Sequence, residues 1–180
     1  MREIVLDTET TGLDPGQGHR VIEIGCVELL NHVPTGRTFH TYVNPERAVP
    51  TDAFAVHGLS DAFLRDKPIF AAVADGFLVF LGDSPLVIHN AAFDLGFLNA
   101  ELVRLSRPPL PAGRAIDTVQ LARRAFPGAP ANLDALCKRF RIDVSERATH
   151  GALKDAKLLA MVYLELKGGR QPGLQLVSTR

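Results

Sequence analysis

The chain has 180 residues, enough for one domain with a sizeable core, and 46% of them are hydrophobic. Twenty basic and 20 acidic residues give a net charge of zero, which argues against a stand-alone DNA binder, since phosphate neutralisation dominates such affinities. No apolar run approaches the roughly 20 residues that span a bilayer, and no secretory signal precedes the first motif, so we expect a cytoplasmic protein.

The first quarter of the chain predicts three strands. Glu3–Asp7, Val21–Leu30 and Thr38–Val43 are rich in β-branched and aromatic residues. Short polar or glycine-rich stretches separate them, which favours antiparallel neighbours.

Helical spacing of apolar residues replaces the strand pattern from Pro68 onward, a residue that suits the first turn of a helix. The elements predicted after it are a strand at Leu86–His89, a helix carrying Leu95, Leu98, Leu102 and Leu105, a strand at Ala115–Asp117, a helix at Val119–Phe126, a helix capped by Asn132 and a last helix at Ala152–Leu166 that Gly168 and Gly169 end. This order predicts an α/β fold with a mixed sheet. We assign Phe54, Phe63, Phe77 and Phe140 to the core.

An apolar run, Ile4-Val5-Leu6, leads into two acidic residues, Asp7 and Glu9. In a strand these two side chains point to the same side, because side-chain direction alternates with period two. Neighbouring carboxylates repel each other, and their burial is costly unless a positive charge lies between them. A divalent cation supplies that charge, and oxygen ligands without cysteine favour Mg²⁺ or Mn²⁺ over Zn²⁺.

Three further ionisable residues stand near predicted helix starts. Asp155 shares the core-facing stripe of its helix with Leu159 and Val162, where an unpaired carboxylate is costly. Asp94 lies in the first turn of a helix, where complementing the helix dipole is the ordinary structural reason for an acid. His150 precedes the last helix, where a histidine is ordinarily a cap or a surface residue.

Taken in order, D-x-E at 7–9, HNAAFD at 89–94 and HGALKD at 150–155 resemble the DEDDh (DnaQ-like) 3′→5′ exonucleases. Within that family the chain is most similar to the epsilon proofreading subunits of bacterial DNA polymerase III. D-x-E alone is a weak signal, but the likeness runs from about Glu3 to Leu176 and extends beyond the motifs. The further stretches are VIEIGCVEL (21–29), FAVHGLSDAFL (54–64), NLDALCKRF (132–140) and HGALKDAKLLA (150–160).

The resemblance implies a ribonuclease-H-like fold, in which helices flank a five-stranded mixed sheet whose second strand is antiparallel to the rest. It implies an exonuclease domain at 1–166 that hydrolyses DNA from the 3′ end with two divalent metal ions, Mg²⁺ or Mn²⁺. Imidazole suits a general base because its ordinary pKa is near working pH. The implied catalytic residues are Asp7, Glu9, Asp94, His150 and Asp155, and the four acids among them are the implied metal ligands.

A second set of residues is implied to contact the substrate. These are Thr8, Thr10, Gly12, His57, Leu59, Asn90 and Phe93, of which Phe93 is equally consistent with a core position. The implied substrate is a single-stranded or frayed 3′ end of DNA. The implied protein partner is the alpha subunit of DNA polymerase III, through a segment that we expect to be absent from this chain.

We predict that 167–180 is a flexible tail. Within it, QPGLQL (171–176) resembles the hexamer with which bacterial polymerase partners bind the beta sliding clamp. The predicted clamp contacts are Gln171, Leu174 and Leu176. The alternative is that this segment has no binding role and that its two leucines occur by chance.

Two other functions stay open. An RNA-trimming 3′→5′ exonuclease of the same superfamily would use the same catalytic residues, although the stretches at 54–64 and 133–137 and the pair Gly168-Gly169 favour the polymerase subunit. A non-catalytic subunit that bridges polymerase and clamp has no need of an acid cluster with a histidine, and the intact set argues against it.

Overall fold

The computed structural model describes residues 1–145 and 147–168. In this part of the chain, strands β1 to β5 span Arg2–Thr10, Val21–Leu30, Val33–Tyr42, Leu86–Ile88 and Ala115–Asp117. Helices α1 to α7 span Thr51–His57, Asp61–Leu64, Phe70–Leu81, Ala91–Arg104, Thr118–Ala125, Leu133–Arg139 and Ala152–Leu166. The predicted clamp contacts Gln171, Leu174 and Leu176 lie outside the described residues.

The five strands form one sheet in the order β3-β2-β1-β4-β5. β2 is antiparallel to both of its neighbours, whereas β4 is parallel to β1 and β5 is parallel to β4. The predicted ribonuclease-H-like sheet is therefore confirmed, including its antiparallel second strand. The parallel strands β1, β4 and β5 bring their carboxyl ends to one edge of the sheet, which is where α/β folds place their sites.

Helices cover both faces of the sheet, because β1 is apolar on both sides. Ile4 and Leu6 pack in one layer with Phe77 of α3 and other side chains of α3 and α4. Val5 points the other way and packs in a second layer with Leu159 of α7. β1 thus lies between two cores, and side chains beyond Leu6 on this strand continue to alternate between them.

The start of α7 lies unusually close to β2. A Cβ atom built on Gly25 would come within 2.5 Å of the Cα of Leu153, closer than real Cβ atoms approach. Next to it, a carboxylate oxygen of Glu23 accepts a hydrogen bond of 2.8 Å from the backbone N–H of Ala152. This bond satisfies one of the free N–H groups in the first turn of α7. β2 therefore fixes where α7 begins.

Two assignments to the core are wrong. Phe54 of α1 and Phe63 of α2 are 45% and 39% exposed, since both lie on short surface helices that the sequence does not predict. Phe63 packs edge-on against Tyr42 of β3, with ring centroids 4.9 Å apart, instead of entering a core. Phe77 is fully buried and Phe140 is partly buried, as predicted.

Other differences are smaller. β1 continues to Thr10, three residues beyond its predicted end. β3 begins at Val33, before its predicted start at Thr38, because its exposed first half has no apolar alternation that would predict a strand. α3 begins at Phe70, so Pro68 precedes the helix and does not lie in its first turn. Among the described helices, none is long and apolar enough to cross a bilayer.

Candidate active site

Asp7 and Glu9 lie in the last four residues of β1 and point toward the layer that contains α7. Glu9 is buried and pairs across the sheet with Glu23 of β2, which is also buried. Directly opposite side chains on antiparallel strands are close neighbours, and like charges there destabilise the pair. The end of β1 is therefore a strongly acidic position within the fold.

Asp94 approaches β1 from the other face of the sheet. It lies in the first turn of α4, as predicted, and its Oδ1 accepts two hydrogen bonds from Thr8. The Thr8 backbone N–H donates over 3.1 Å and the Thr8 hydroxyl over 2.7 Å. Because Thr8 stands between Asp7 and Glu9 on the strand, the alternation of β1 brings acids from both layers to one place.

His150 and Asp155 reach the site from α7 and the loop before it. Candidate ligand atoms of Glu9, His150 and Asp155 all lie within 4.8 Å of one another. Asp155 is buried, whereas the imidazole of His150 is 46% exposed and lies 3.8 Å from the Asp155 carboxylate. The backbone N–H of His150 donates to the carbonyl of Val56, 3.1 Å away, which ties this loop to α1.

Arg147 is a member of this cluster that the sequence does not reveal. Its Nε and Nη2 donate to the two carboxylate oxygens of Asp155 over 2.8 and 2.9 Å. Nη2 also lies 3.3 Å from Nδ1 of His150, and Nη1 donates to Asp134 of α6. A buried Asp155 signals that some partner exists, but the sequence offers several arginines nearby and does not distinguish among them.

Three carboxyl groups of the site resist ionisation. Burial raises the pKa of Asp7 well above its usual value, and the charges of Asp94 and Glu9 raise it further. Burial, followed by the charges of Asp155 and Glu23, raises the pKa of Glu9 to about 8. Burial also raises the pKa of Asp94, although the hydrogen bonds from Thr8 oppose the shift.

This donor set fits a divalent cation. Buried carboxylates that repel one another are stabilised in their ionised form by a positive charge placed between them. All the acids offer hard oxygen ligands. The described residues place both cysteines, Cys26 and Cys137, in the cores as buried free thiols.

The predicted substrate residues on β1 and just after it have partners within the protein. The Thr10 hydroxyl donates to the carbonyl of Gly12 over 2.7 Å. A Cβ atom on Gly12 would lie 2.5 Å from Cγ of His19, so the glycine makes room for that imidazole. Thr8 is engaged with Asp94, as described above. These contacts shape the end of β1 beside the acids.

Asn90 and Phe93 lie at the start of α4, on the other face of the sheet from α7. Asn90 is exposed, with a left-handed backbone (φ 66°), and its N–H donates to Asp117 at the end of β5. Phe93 is partly buried against the core and packs on Phe97, with ring centroids 5.1 Å apart. The structure therefore gives Phe93 a core contact and leaves Asn90 accessible.

His57 and Leu59 line a cavity of about 750 Å³ that His150 also borders. His57 is buried, and its Nδ1 accepts a hydrogen bond from the Leu59 N–H over 3.0 Å, which leaves the proton on Nε2. Burial lowers the pKa of His57, so this imidazole is neutral at working pH. Further lining residues include Tyr42, Phe63 and Lys154. The cavity is large enough for part of a nucleotide and adjoins the predicted base.

Comparison with known proteins places this geometry in a family. The exonuclease family RNase T matches residues 4–163. The DNA polymerase III subunit epsilon of Rickettsia felis is 59% identical over 180 residues, covering 98% of this chain and 79% of that protein. The corresponding subunit of Escherichia coli K12 is 49% identical over 176 residues, covering 94% and 72%.

Solved structures agree with the sequence matches. Exonuclease X in complex with 5′ overhanging duplex DNA superposes with a TM-score of 0.72 and 27% identity, covering 92% of this chain and 91% of that one. The nuclease domain of 3′hExo, a DEDDh family member bound to rAMP, has a TM-score of 0.79. At 20% identity over 93% and 92% of the two chains, this second likeness shows the fold.

Proposed function

The chain belongs to the exonuclease family, among the epsilon subunits of DNA polymerase III, and from that premise we propose how its residues perform the reaction. It is a 3′→5′ exonuclease that proofreads for a replicative DNA polymerase. The observation that carries the assignment to this site is the convergence of acids from β1, α4 and α7 at one sheet edge, with an exposed histidine beside them.

Members of this family use divalent metal ions, and we infer that this chain holds two, Mg²⁺ or Mn²⁺. The acids that would hold them are Asp7, Glu9, Asp94 and Asp155. When bound, such ions supply Lewis-acid activation of water and stabilise the oxygen that leaves. The raised pKa values of Asp7 and Glu9 support this assignment, because burial and neighbouring carboxylates disfavour their charged forms and a bound cation would offset both effects.

His150 is the general base. Its imidazole is accessible and borders both the acid cluster and the large cavity. The backbone N–H of His150 donates to the carbonyl of Val56, which fixes the position of the residue. In this role it takes the proton of the water that attacks the terminal phosphodiester. Cleavage of the bond between phosphorus and the 3′-oxygen then releases a nucleoside 5′-monophosphate.

The residues around the acids bind the end of the strand. In this proposal His57 and Leu59 contact the terminal nucleotides from the cavity, while Thr10, Gly12 and Asn90 contact the strand end beside the acids. Thr8 and Phe93 act indirectly. Thr8 hydrogen-bonds Asp94, and Phe93 packs within the start of α4. A mispaired end reaches such a site more readily than a paired one, because less unstacking energy is required.

Nuclease assays on defined 3′ ends test this function. We expect Mg²⁺-dependent release of 5′-monophosphates from a 3′-mispaired primer–template, faster than from a matched one, and slower cleavage of an RNA strand of the same sequence. Asp7→Asn should be inactive, whereas Asp66→Asn, at an exposed acid outside the cluster, should match the native protein. Products that carry 3′-phosphates, or cleavage of a circular single strand, would falsify the assignment.

The epsilon names of the relatives imply assembly with DNA polymerase III. We infer two contacts: one with the alpha subunit, and one between QPGLQL (171–176) and the sliding clamp. The hexamer has glutamine first, an aliphatic residue fourth and a hydrophobic residue last. A peptide of residues 168–180 should bind the clamp with a Kd of roughly 10–1000 μM, as short peptides that become ordered on binding do.

A Gln171→Ala, Leu174→Ala peptide is the matched control for clamp binding. It should lose the interaction in the same titration. Equal binding by both peptides, or none by either at millimolar concentration, contradicts the clamp contact and leaves the nuclease assignment unaffected.

A further inference from the structure

Arg147 is the cation closest to the candidate metal ligands among the described residues, and its side chain is only 8% exposed. The guanidinium holds both oxygens of Asp155 in a two-bond arrangement, with distances of 2.8 and 2.9 Å. Such paired, charge-assisted hydrogen bonds are the strong ones in proteins. Asp155 is therefore already compensated, unlike Asp7 and Glu9.

A divalent cation held by Glu9 and Asp155 and this guanidinium require the same carboxylate. Two cations on one buried carboxylate repel each other, and the repulsion is only weakly screened away from solvent. Because the guanidinium already uses both oxygens of Asp155, a cation that coordinates one of them weakens at least one of these two bonds. The free energy needed to weaken those bonds lowers the affinity of the site for the cation.

A second carboxylate stands ready to hold Arg147. Nη1 already donates to Asp134, which lies in the first turn of α6 and whose side chain is 66% exposed. A guanidinium has five N–H donors, so Arg147 can contact both acids at once or turn fully toward Asp134. The shift is a side-chain movement that starts from the contact that Nη1 already makes with Asp134.

We propose that Arg147 sets the affinity of the site for divalent cations by exchanging Asp155 for Asp134 when a cation binds. The proposal rests on the proposed function only in that a cation uses Asp155. Arg147 is a positioning residue in this scheme, since it acts through Asp155. Asp134 acts in turn through Arg147, by giving the displaced guanidinium a partner.

Calorimetric titration of the chelator-treated full chain with Mn²⁺ tests the exchange. Arg147→Gln removes the competitor, and Mn²⁺ should bind on the order of 10- to 100-fold more tightly, the range expected for charge-assisted hydrogen bonds. Asp134→Asn removes the second partner but leaves the buried pair intact. In that variant Mn²⁺ should bind several-fold more weakly.

The double variant separates the exchange from simple charge effects. If Asp134 acts through Arg147, Asp134→Asn has no effect on Mn²⁺ affinity when Arg147→Gln is already present. A loss of equal size in both backgrounds would mean that Asp134 attracts the cation through space, and this result overturns the proposal. Asp134→Asn also keeps the test valid if Arg147→Gln, which leaves Asp155 buried and unpaired, fails to fold.

The outcomes distinguish the exchange from the nuclease assignment. Suppose that the native protein binds Mn²⁺ and degrades DNA, but that Arg147→Gln binds Mn²⁺ with unchanged or weaker affinity. That result refutes only the role of Arg147 and leaves the nuclease assignment unaffected. Native protein that binds no Mn²⁺ refutes the cation site and the exchange together.

Discussion

At the scale of single residues, the acids of this site differ in how their charge is balanced. Asp7 faces other acids and is compensated by no cation in the described residues, whereas Asp155 is paired with Arg147. The same chemical change, carboxylate to amide, therefore has opposite consequences at the two positions. This difference is not visible in the motifs, where both residues appear simply as acids of a cluster.

In chelator, Asp7→Asn should stabilise the protein by about 1 kcal/mol, or roughly 2–4 °C in Tm, because it removes like-charge repulsion. Asp155→Asn should destabilise it by about 2–4 kcal/mol, because Arg147 loses its buried partner. Both variants should lose hydrolysis. Scanning calorimetry measures the shifts, and shifts of the same sign in the two variants would contradict this account of the charges.

Stability of the chelated protein should fall as pH rises from about 5 to 8. The pKa of Glu9 is raised from 4.5 to about 8, so the folded protein retains a proton that the unfolded chain has released in this window. The free energy of unfolding then decreases with pH by up to about 1.4 kcal/mol per unit for each retained proton. Below pH 4.5 both states hold the proton and the loss is absent.

Urea unfolding at pH 5, 6.5 and 8 measures that slope. Glu9→Gln should make it shallower, and saturating Mg²⁺ should make it shallower too, because a bound cation favours the ionised carboxylates. A native slope that is flat or positive in chelator would show that Glu9 ionises normally.

His150→Gln should lower kcat by about 10²–10⁴-fold, the usual contribution of a general base. Glutamine keeps the size and polarity of the side chain but does not take up a proton. The fold should be retained, since the imidazole is half-exposed and the backbone bond to Val56 does not involve the side chain. Single-turnover hydrolysis measures the loss, and a change of less than threefold would remove His150 from proton transfer.

At the scale of elements, the contact between β2 and α7 decides where two site residues lie. Gly25→Ala places a methyl group against the backbone of Ala152 and Leu153, neither of which can yield without moving the helix. We expect a loss of about 1–3 kcal/mol in stability, as for overpacked cores, and a large fall in activity. Gly96→Ala in α4 is the matched control.

Gly96 has no atom within 4 Å of a built Cβ, so alanine there should be harmless or stabilise α4 by up to about 1 kcal/mol. Unfolding and hydrolysis are compared for the two variants. Gly25→Ala with native activity would show that α7 tolerates displacement, and the positioning role of β2 would be wrong.

Elements with a strong periodic pattern and clear end signals are predicted well from the sequence. β2 and α7 have the predicted bounds, and Asn132 caps α6 through a hydrogen bond from the Ala135 N–H. α1 and α2 are missed because four to seven residues are too few to establish a helical period.

The same limit explains how much of the site is predictable. Asp94 and Asp155 are predicted from their place in local motifs, and the structure brings both to the end of β1. Arg147 is not predicted from the sequence, because its role depends on Asp155, eight residues away in α7, and on Asp134 in α6. Contacts of that kind require the tertiary structure.

At the scale of the whole molecule, zero net charge predicts a weak dependence of catalysis on salt. Each phosphate contacted on a single strand contributes a slope of about −0.7 to a plot of log affinity against log salt. With 20 basic and 20 acidic residues, we expect contact with no more than about three phosphates, hence a slope no steeper than about −2. Measurement of kcat/KM between 50 and 200 mM salt checks this, and a steeper slope would reveal a basic track.

Acids reach the end of β1 from both faces of the sheet, and this arrangement has a consequence for synthesis of the chain. Domains form from a chain that emerges N-terminus first. Asp7, Glu9 and Asp94 are all made before α7, which brings Asp155 from 148 residues beyond Asp7 (155 − 7). A nascent chain that stops short of α7 thus carries three of the acids, and we expect it not to cut. We expect nuclease activity only after α7 has been made and has packed against β2.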